Sequence, residues 1–232
     1  MSRELTEQQA FLVLNALPNI GPVTLNRLLE ELAGDPRAVF TAGTRRLEAV
    51  RGVGPVIAAT IAQWRDHFDL AREEERMAKA ETTVLTGRDT AYPKLLKEIN
   101  DPPIGLYRKG RCDFALPCIA VVGSRRATLY GQATAKRLGA ELARLSFCVV
   151  SGLARGIDTA AHEGALSVGG RTAAVLGCGI DIVYPPVTSV STTIVASHIP
   201  ATTRLRMGKL CRSARRPKGN SERMAPSASI RR

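Results

Sequence analysis

Apolar residues recur at helical spacing near the start of the chain and predict a region of short helices at residues 1–82. Segments 5–17 and 23–32 each carry an apolar face, and segment 65–81 is a charged, alanine-rich helix. Proline and glycine separate these segments, as is usual where a chain turns between helices. We therefore expect a small all-helical domain at the N-terminus.

In the second half of the chain, short apolar runs alternate with amphipathic stretches. The runs at 118–122, 147–150 and 172–176 are typical of buried strands, and the stretches at 128–145 and 157–167 are typical of helices. Strand–helix repeats with short loops form parallel sheets with right-handed crossovers. The predicted fold class is therefore α/β, with a Rossmann-like parallel-sheet domain.

Two further segments show no sustained period. Residues 83–117 contain turn dipeptides such as Tyr92-Pro93 and are expected to form a connector. Residues 187–232 are rich in Ser, Thr and Arg and have no aromatic residue, a composition typical of disorder. The Rossmann-like domain would then occupy residues 118–186 and be truncated at its C-terminal side.

The net charge of +12 is concentrated in the segment 187–232. This segment holds ten Lys and Arg residues against one acid, so it carries nine of the twelve net positive charges. A basic chain usually indicates nucleic acid as a partner. Here, however, the total charge says little about residues 1–186.

Other counts limit the class of protein. The five cysteines form no Cys-x-x-Cys pair and there are only three histidines, which argues against a metal site. The sequence has no apolar run of about 18 residues, the length that a membrane helix needs, and no apolar signal core at its start. We expect a cytoplasmic protein with no metal and no membrane partner.

A Gly-Pro turn occurs twice in the helical region, at residues 17–22 and again at 50–55. Each copy precedes a helix, so the pair resembles two helix-hairpin-helix motifs, which also suits a SAM-like helical domain. Backbone N–H groups at such turns can bind a DNA phosphate, which makes Gly21, Gly52 and Gly54 secondary candidate contacts. Tight turns in a plain helical bundle explain the same residues, so both interpretations stay open.

Three glycine-containing loops follow the three predicted strands. The carboxyl ends of parallel strands meet at one edge, where α/β folds bind ligands. Glycine lets the backbone approach a phosphate, and arginine adds charge and a planar face. Alternatively, the glycines serve tight packing and the arginines are solvated; a mononucleotide is an alternative ligand to a strand. The candidate contacts are Gly123, Ser124, Arg125 and Arg126 in the first loop, Gly152, Arg155 and Gly156 in the second, and Gly177 and Gly179 in the third.

Catalytic groupings are missing from the sequence. No Walker motif, Ser-His-Asp set or GxGxxG fingerprint occurs, so we expect no enzyme activity and no cofactor. Asp158, at the start of a predicted helix, is interpreted as an N-cap. The lone His162 is interpreted as a packing or hydrogen-bonding residue, because no partner acid or nucleophile is spaced to serve it.

Six motifs occur in a fixed order, at residues 121–125, 130–131, 149–158, 161–166, 174–181 and 184–185. In order and spacing they resemble the DprA/Smf family of DNA-processing proteins. The stretch SGLARGID is the most specific of them. The resemblance covers about residues 5–186.

The resemblance implies a protein of natural transformation, or competence, that acts in DNA recombination without a catalytic step. It would bind single-stranded DNA, protect it on uptake, form a homodimer and help to load RecA. Gly123, Ser124 and Arg125 would be contacts in the first loop, and Gly152, Arg155 and Gly156 contacts in the second loop.

The segment 187–232 departs from the family pattern, and we interpret it as a frameshifted or degenerate end. A genuine basic tail that binds DNA by counterion release is the alternative. Two other functions also stay open. One is a nucleotide-cleaving enzyme of the LOG (lysine-decarboxylase-like) Rossmann group, whose later motif with the catalytic acid is missing here. The other is a non-functional fragment.

Overall fold

Short helices occupy residues 4–82, as the apolar spacing predicts. The computed structural model describes residues 4–110, 114–177 and 180, and the backbone of Thr193–Ser197. Thr6 starts the first helix with a capping box, because its hydroxyl accepts a hydrogen bond from the Gln9 backbone at 3.2 Å and its own N–H donates to Gln9 Oε1 at 2.8 Å. The helices of this region are α1 (Glu7–Ala16), α2 (Pro22–Glu31), α3 (Ala38–Thr41), α4 (Thr44–Glu48), α5 (Pro55–Ala62), α6 (Trp64–His67) and α7 (Leu70–Lys79).

A mixed sheet follows, in the strand order β1-β2-β6-β5-β4-β3. The pairs β3–β4, β4–β5 and β5–β6 are parallel, whereas the pairs β1–β2 and β2–β6 are antiparallel. The parallel part confirms the Rossmann-like prediction. The elements are β1 (Thr82–Thr86), α8 (Lys94–Lys97), β2 (Gly105–Lys109), β3 (Cys118–Ala120), α9 (Leu129–Arg144), β4 (Cys148–Ser151), α10 (Ile157–Ser167), β5 (Thr172–Leu176) and β6 (Thr193–Ser197).

Three of these strands lie in segments for which the sequence predicts no regular structure. β1 and β2 belong to the segment 83–117, which we expected to be a connector, and the turn dipeptides of that segment lie between them. β6 lies inside the segment 187–232, for which composition predicts disorder, and it pairs with β5. Averaging over the whole segment hides the β-favouring run Thr-Ile-Val-Ala-Ser. Apart from the five residues of β6, the segment for which disorder is predicted lies outside the described residues.

One hydrophobic cluster serves both the helices and the sheet. It contains Leu14 and Leu28 from the helices, Val84 from β1, Leu153 from the loop after β4 and Leu176 from β5. The described residues accordingly belong to one compact unit, Met1–Pro200. The predicted boundaries at 82 and 117 thus fall within a shared core and stay a prediction.

Close packing of α9 against α10 sets the geometry of the sheet edge. A Cβ atom at Gly139 would overlap the Ala161 carbonyl oxygen, and one at Gly164 would overlap the Lys136 carbonyl oxygen. Only glycine permits this approach of the two backbones. Because both helices also pack on β4, their N-termini are held side by side, next to the ends of the strands that precede them.

Candidate nucleic-acid interface

Two loops meet at the carboxyl edge of the parallel strands, and one buried carboxylate joins them. Loop 1 (residues 121–128) connects β3 to α9, and loop 2 (residues 152–156) connects β4 to α10. Asp158, which is only 6% exposed, accepts hydrogen bonds from the Gly123 N–H at 3.3 Å and the Gly152 N–H at 3.2 Å. The N-cap assignment for Asp158 is therefore wrong. Gly156 is the N-cap of α10, and Asp158 bridges the two loops instead.

The glycines of the two loops pack against each other's backbone. Gly156 has φ +89°, and a Cβ atom there would overlap the Ser124 carbonyl oxygen and lie 3.0 Å from the Arg125 carbonyl carbon. A Cβ atom at Gly123 would lie 2.7 Å from Ile157 Cγ1. The first N–H of α10, from Ile157, donates to the Ser124 carbonyl at 3.2 Å. Several backbone donors of this edge are thus used inside the protein, and side chains are left to face a ligand.

Those side chains are cationic and without ionic partners. Arg125, Arg126 and Arg155 are exposed, and the ion pairs found among the described residues include none of them. The Ser124 hydroxyl oxygen accepts a hydrogen bond from the Arg126 N–H at 3.1 Å, which leaves its own hydrogen able to donate. Since Gly156 packs on the Arg125 backbone, the two loops that carry these arginines lie next to each other.

The third loop is described only at its start. Gly177 directly follows β5, is exposed, and has no atom within 4 Å of the position that a Cβ would take. Gly179 lies outside the described residues. The contribution of this loop to the edge therefore stays a prediction.

Sequence reasoning includes Tyr130 in a family motif but does not name this exposed aromatic residue as a candidate contact. Tyr130 is 81% exposed and its neighbour Leu129 is 86% exposed, both in the first turn of α9. Their position, a few residues after the arginine pair of loop 1, was visible in the sequence. Their exposure was not, because residues in the first turn of an amphipathic helix can face either side.

The two predicted hairpin turns share one geometry. Gly21 and Gly54 are the N-caps of α2 and α5, each is followed by proline, and neither has an atom within 4 Å of a would-be Cβ. Gly52 has φ +85°, and Arg27 reaches across to donate a hydrogen bond to the Arg51 carbonyl at 3.2 Å. No hydrogen bond among the described residues joins these glycines to loops 1 or 2. They form a separate candidate site.

The model of the family described as DNA recombination-mediator protein A matches residues 83–220. The chain belongs to this family. Protein Smf from Synechocystis sp. is 36% identical over 186 residues, which covers 78% of this chain and 46% of that protein. The family match includes β1 and β2 and continues past residue 187, while the idea of a frameshifted end stays a prediction.

One solved structure of a family member resembles the fold of this chain. The crystal structure of DNA processing protein A from Streptococcus pneumoniae has a TM-score of 0.67 and 26% identity, and the match covers 86% of this chain and 70% of that chain. A second structure, from Helicobacter pylori, concerns the single-stranded-DNA-binding mode of that protein; its TM-score is 0.45 at 28% identity, over 52% of this chain and 57% of that chain. This chain spans less than half the length of the first curated relatives that it matches.

His162 is a buried residue between α10 and β5, and its contacts are internal to the fold. Its side chain is buried, and Nδ1 lies 2.6 Å from Thr172 Oγ1. The Thr172 hydroxyl donates to the Val149 carbonyl at 2.7 Å, so the histidine is the donor in the other bond and carries its proton on Nδ1. Burial lowers the pKa of His162, and the nearby Asp158 partly opposes this. The predicted hydrogen-bonding role is confirmed.

The described residues hold neither a metal-binding cluster nor a helix that could span a membrane. No group of three or more His, Cys, Asp or Glu side chains in that part of the chain is arranged to hold a metal ion. No helix there is long and apolar enough to cross a membrane.

Proposed function

We propose that this chain binds single-stranded DNA at loops 1 and 2, without a catalytic step. The observation that carries the proposal is the set of three exposed arginines, Arg125, Arg126 and Arg155, which lack ionic partners in the described structure. They lie on two loops whose backbones Asp158 bridges through the Gly123 and Gly152 N–H groups. Fixed cations with no internal partner attract phosphates and release their counterions. Membership in a DNA recombination-mediator family supports the same ligand.

In this proposal the side chains contact the DNA and the glycines shape the loops. Ser124 donates its hydroxyl hydrogen to a phosphate, and the arginines pair with phosphates or stack on bases. Gly123, Gly152 and Gly156 allow the two loops to pack, and Gly177 and Gly179 are proposed as further DNA contacts from the third loop. Gly21, Gly52 and Gly54 supply secondary phosphate contacts in the hairpins.

Family resemblance extends the proposal to biology. We propose a cytoplasmic protein of natural transformation that protects incoming DNA, helps to load RecA and forms a homodimer. The Helicobacter pylori protein is described as binding single-stranded DNA, but its structural likeness to this chain is too low to transfer any contact. The choice of loops 1 and 2 therefore rests on the chain's own geometry.

The test is a fluorescence-anisotropy titration of a labelled oligo-dT with the full chain at several salt concentrations. We expect the double variant Arg125→Ala/Arg155→Ala to bind about tenfold more weakly. Its salt slope should fall by about 1.4, because each phosphate contact on a single strand contributes about 0.7. The measurement must distinguish the effect of these two arginines on affinity from the effect of the chain's overall positive charge.

A matched control removes two other exposed cations. Lys136 and Arg144 lie on α9 and are ion-paired with Glu163 and Glu141. Lys136→Ala/Arg144→Ala therefore lowers the net charge by the same amount without touching loops 1 and 2. If both double variants lose affinity equally, attraction is non-specific and the proposal fails.

A further inference from the structure

An aromatic side chain stands fully outside the core beside the proposed DNA site. Tyr130 is 81% exposed, and its neighbour in sequence, Leu129, is 86% exposed. Val122, in loop 1, is 71% exposed. A side chain this exposed contributes little to the core, because burial of apolar area is what stabilises the fold. The folded chain thus leaves unused apolar surface next to its unpaired arginines.

Packing places this aromatic residue on the same surface as the two loops. Ile157, the first residue of α10, is the common neighbour: a Cβ atom at Gly123 would lie 2.7 Å from its Cγ1, and one at Gly131 would lie 3.6 Å from its Cδ1. A Cβ atom at Gly156 would lie 3.1 Å from Arg125 Cα. The start of α9, loop 1 and loop 2 therefore meet around one side chain.

The backbone that presents the ring is fixed. Thr128 caps α9, since its hydroxyl oxygen accepts a hydrogen bond from the Gly131 N–H at 3.1 Å. The side-chain amide of Gln132 donates to the Ala127 carbonyl at 3.1 Å. Both bonds hold the first helical turn against the end of loop 1. The ring is therefore exposed on a fixed turn, so binding a ligand costs little ordering of the chain.

We propose that Tyr130 is a stacking platform for a nucleobase of the bound strand, and that it supplies the preference for single-stranded over duplex DNA. The inference rests on the proposed function. Arginines that pair with phosphates attract either form, because those contacts do not read the bases. A base in a duplex has both faces covered by its neighbours, whereas a base in a single strand can lie flat on an aromatic ring. Leu129 extends the apolar surface beside the ring.

The test uses the full chain, the variants Tyr130→Ala and Tyr130→Phe, and three labelled probes. These are an oligo-dT, an abasic oligonucleotide of the same length, and a duplex of that length. The abasic probe keeps every phosphate and removes the bases. We expect Tyr130→Ala to bind oligo-dT about tenfold more weakly, to leave the abasic and duplex affinities within about twofold of the unaltered chain, and so to lose the single-strand preference. Tyr130→Phe keeps the ring and should bind like the unaltered chain.

Leu145→Ala is the matched control, because Leu145 is an exposed apolar residue (68%) directly after the far end of α9. It should leave all three affinities unchanged. The inference is overturned if Tyr130→Ala binds oligo-dT normally, or if it weakens oligo-dT and abasic binding equally. Failure of the proposed function gives a different result, in which Arg125→Ala/Arg155→Ala leaves the affinity for the oligo-dT and abasic probes unchanged.

Discussion

The hairpins and the glycine loops are both built on glycine, yet they use it in opposite ways. At the hairpins, Gly21 and Gly54 have open space where a Cβ atom would be, and a Cβ atom at Gly52 would meet only the guanidinium end of Arg27. In the loops, a Cβ atom at Gly123 or Gly156 would run into the neighbouring loop or helix. The hairpin turns leave open space beside the backbone, whereas in the loops that space is filled because the two loops pack against each other.

This difference separates two ways of holding a phosphate. An open turn offers backbone N–H groups to a ligand. In the packed loops, the Gly123 and Gly152 amides already bind the Asp158 carboxylate, so arginine side chains remain as the ligand-facing donors. Glycine-rich sequence alone does not distinguish these cases. The space around each glycine does.

The largest expected effect is at Gly156. Gly156→Ala places a methyl group against the Ser124 carbonyl and forces a residue with a side chain to hold φ +89° and ψ −125°. We expect the free energy of unfolding to fall by about 3 kcal/mol, from backbone strain together with overpacking. Urea denaturation of the purified variant measures this change.

Gly169→Ala is its control. Gly169 also has positive φ, +69°, but no atom lies within 4 Å of a would-be Cβ, so only the conformational cost of about 1 kcal/mol applies. If the two variants unfold at the same urea concentration, loop-to-loop contact does not stabilise the edge, and the contrast with the hairpins disappears.

A smaller effect is expected from Asp158→Asn. The amide has one oxygen for two backbone donors, so either the Gly123 or the Gly152 N–H is left facing an NH₂ group. We expect a loss of about 2 kcal/mol in the free energy of unfolding and weaker oligo-dT binding, because the two loops are no longer tied. Glu163→Gln, on the exposed side of the same helix, should change neither quantity appreciably. Normal stability of Asp158→Asn would mean that the bridge does not hold the loops.

Local pattern was sufficient for the central elements. The apolar run that predicts a strand at 172–176 and the stretch that predicts a helix at 157–167 coincide with β5 and α10 as observed. In each of these elements, the spacing of the apolar residues within the element itself indicates its type. The family motif SGLARGID falls at the end of β4 and across loop 2, where a binding edge is expected.

Elements that depend on distant partners were not predictable in the same way. β1 and β2 pair over about twenty intervening residues, and β6 pairs with both β2 and β5. The bridge from Asp158 to Gly123 joins residues 35 apart in sequence. Such contacts depend on how the chain folds, and a local stretch of sequence does not show that. For this reason the sequence predicts a helix cap at Asp158 and does not identify Tyr130 as a contact.

The smallest expected effect is at the hairpins, and it tests whether a DNA phosphate binds in the open space beside their glycines. Gly54→Ala adds a methyl group into empty space at a φ of −85°, which alanine tolerates. The poorer N-cap and the reduced freedom of the unfolded chain nearly cancel, so the free energy of unfolding should change by no more than about 0.5 kcal/mol. Oligo-dT affinity should fall by about threefold, the cost of weakening one phosphate hydrogen bond.

Gly43→Ala is the matched control, because it makes the same change at the N-cap of α4, outside either hairpin, and also into open space. If both variants bind DNA alike, the hairpin glycines serve only to turn the chain, and loops 1 and 2 carry the DNA contact alone.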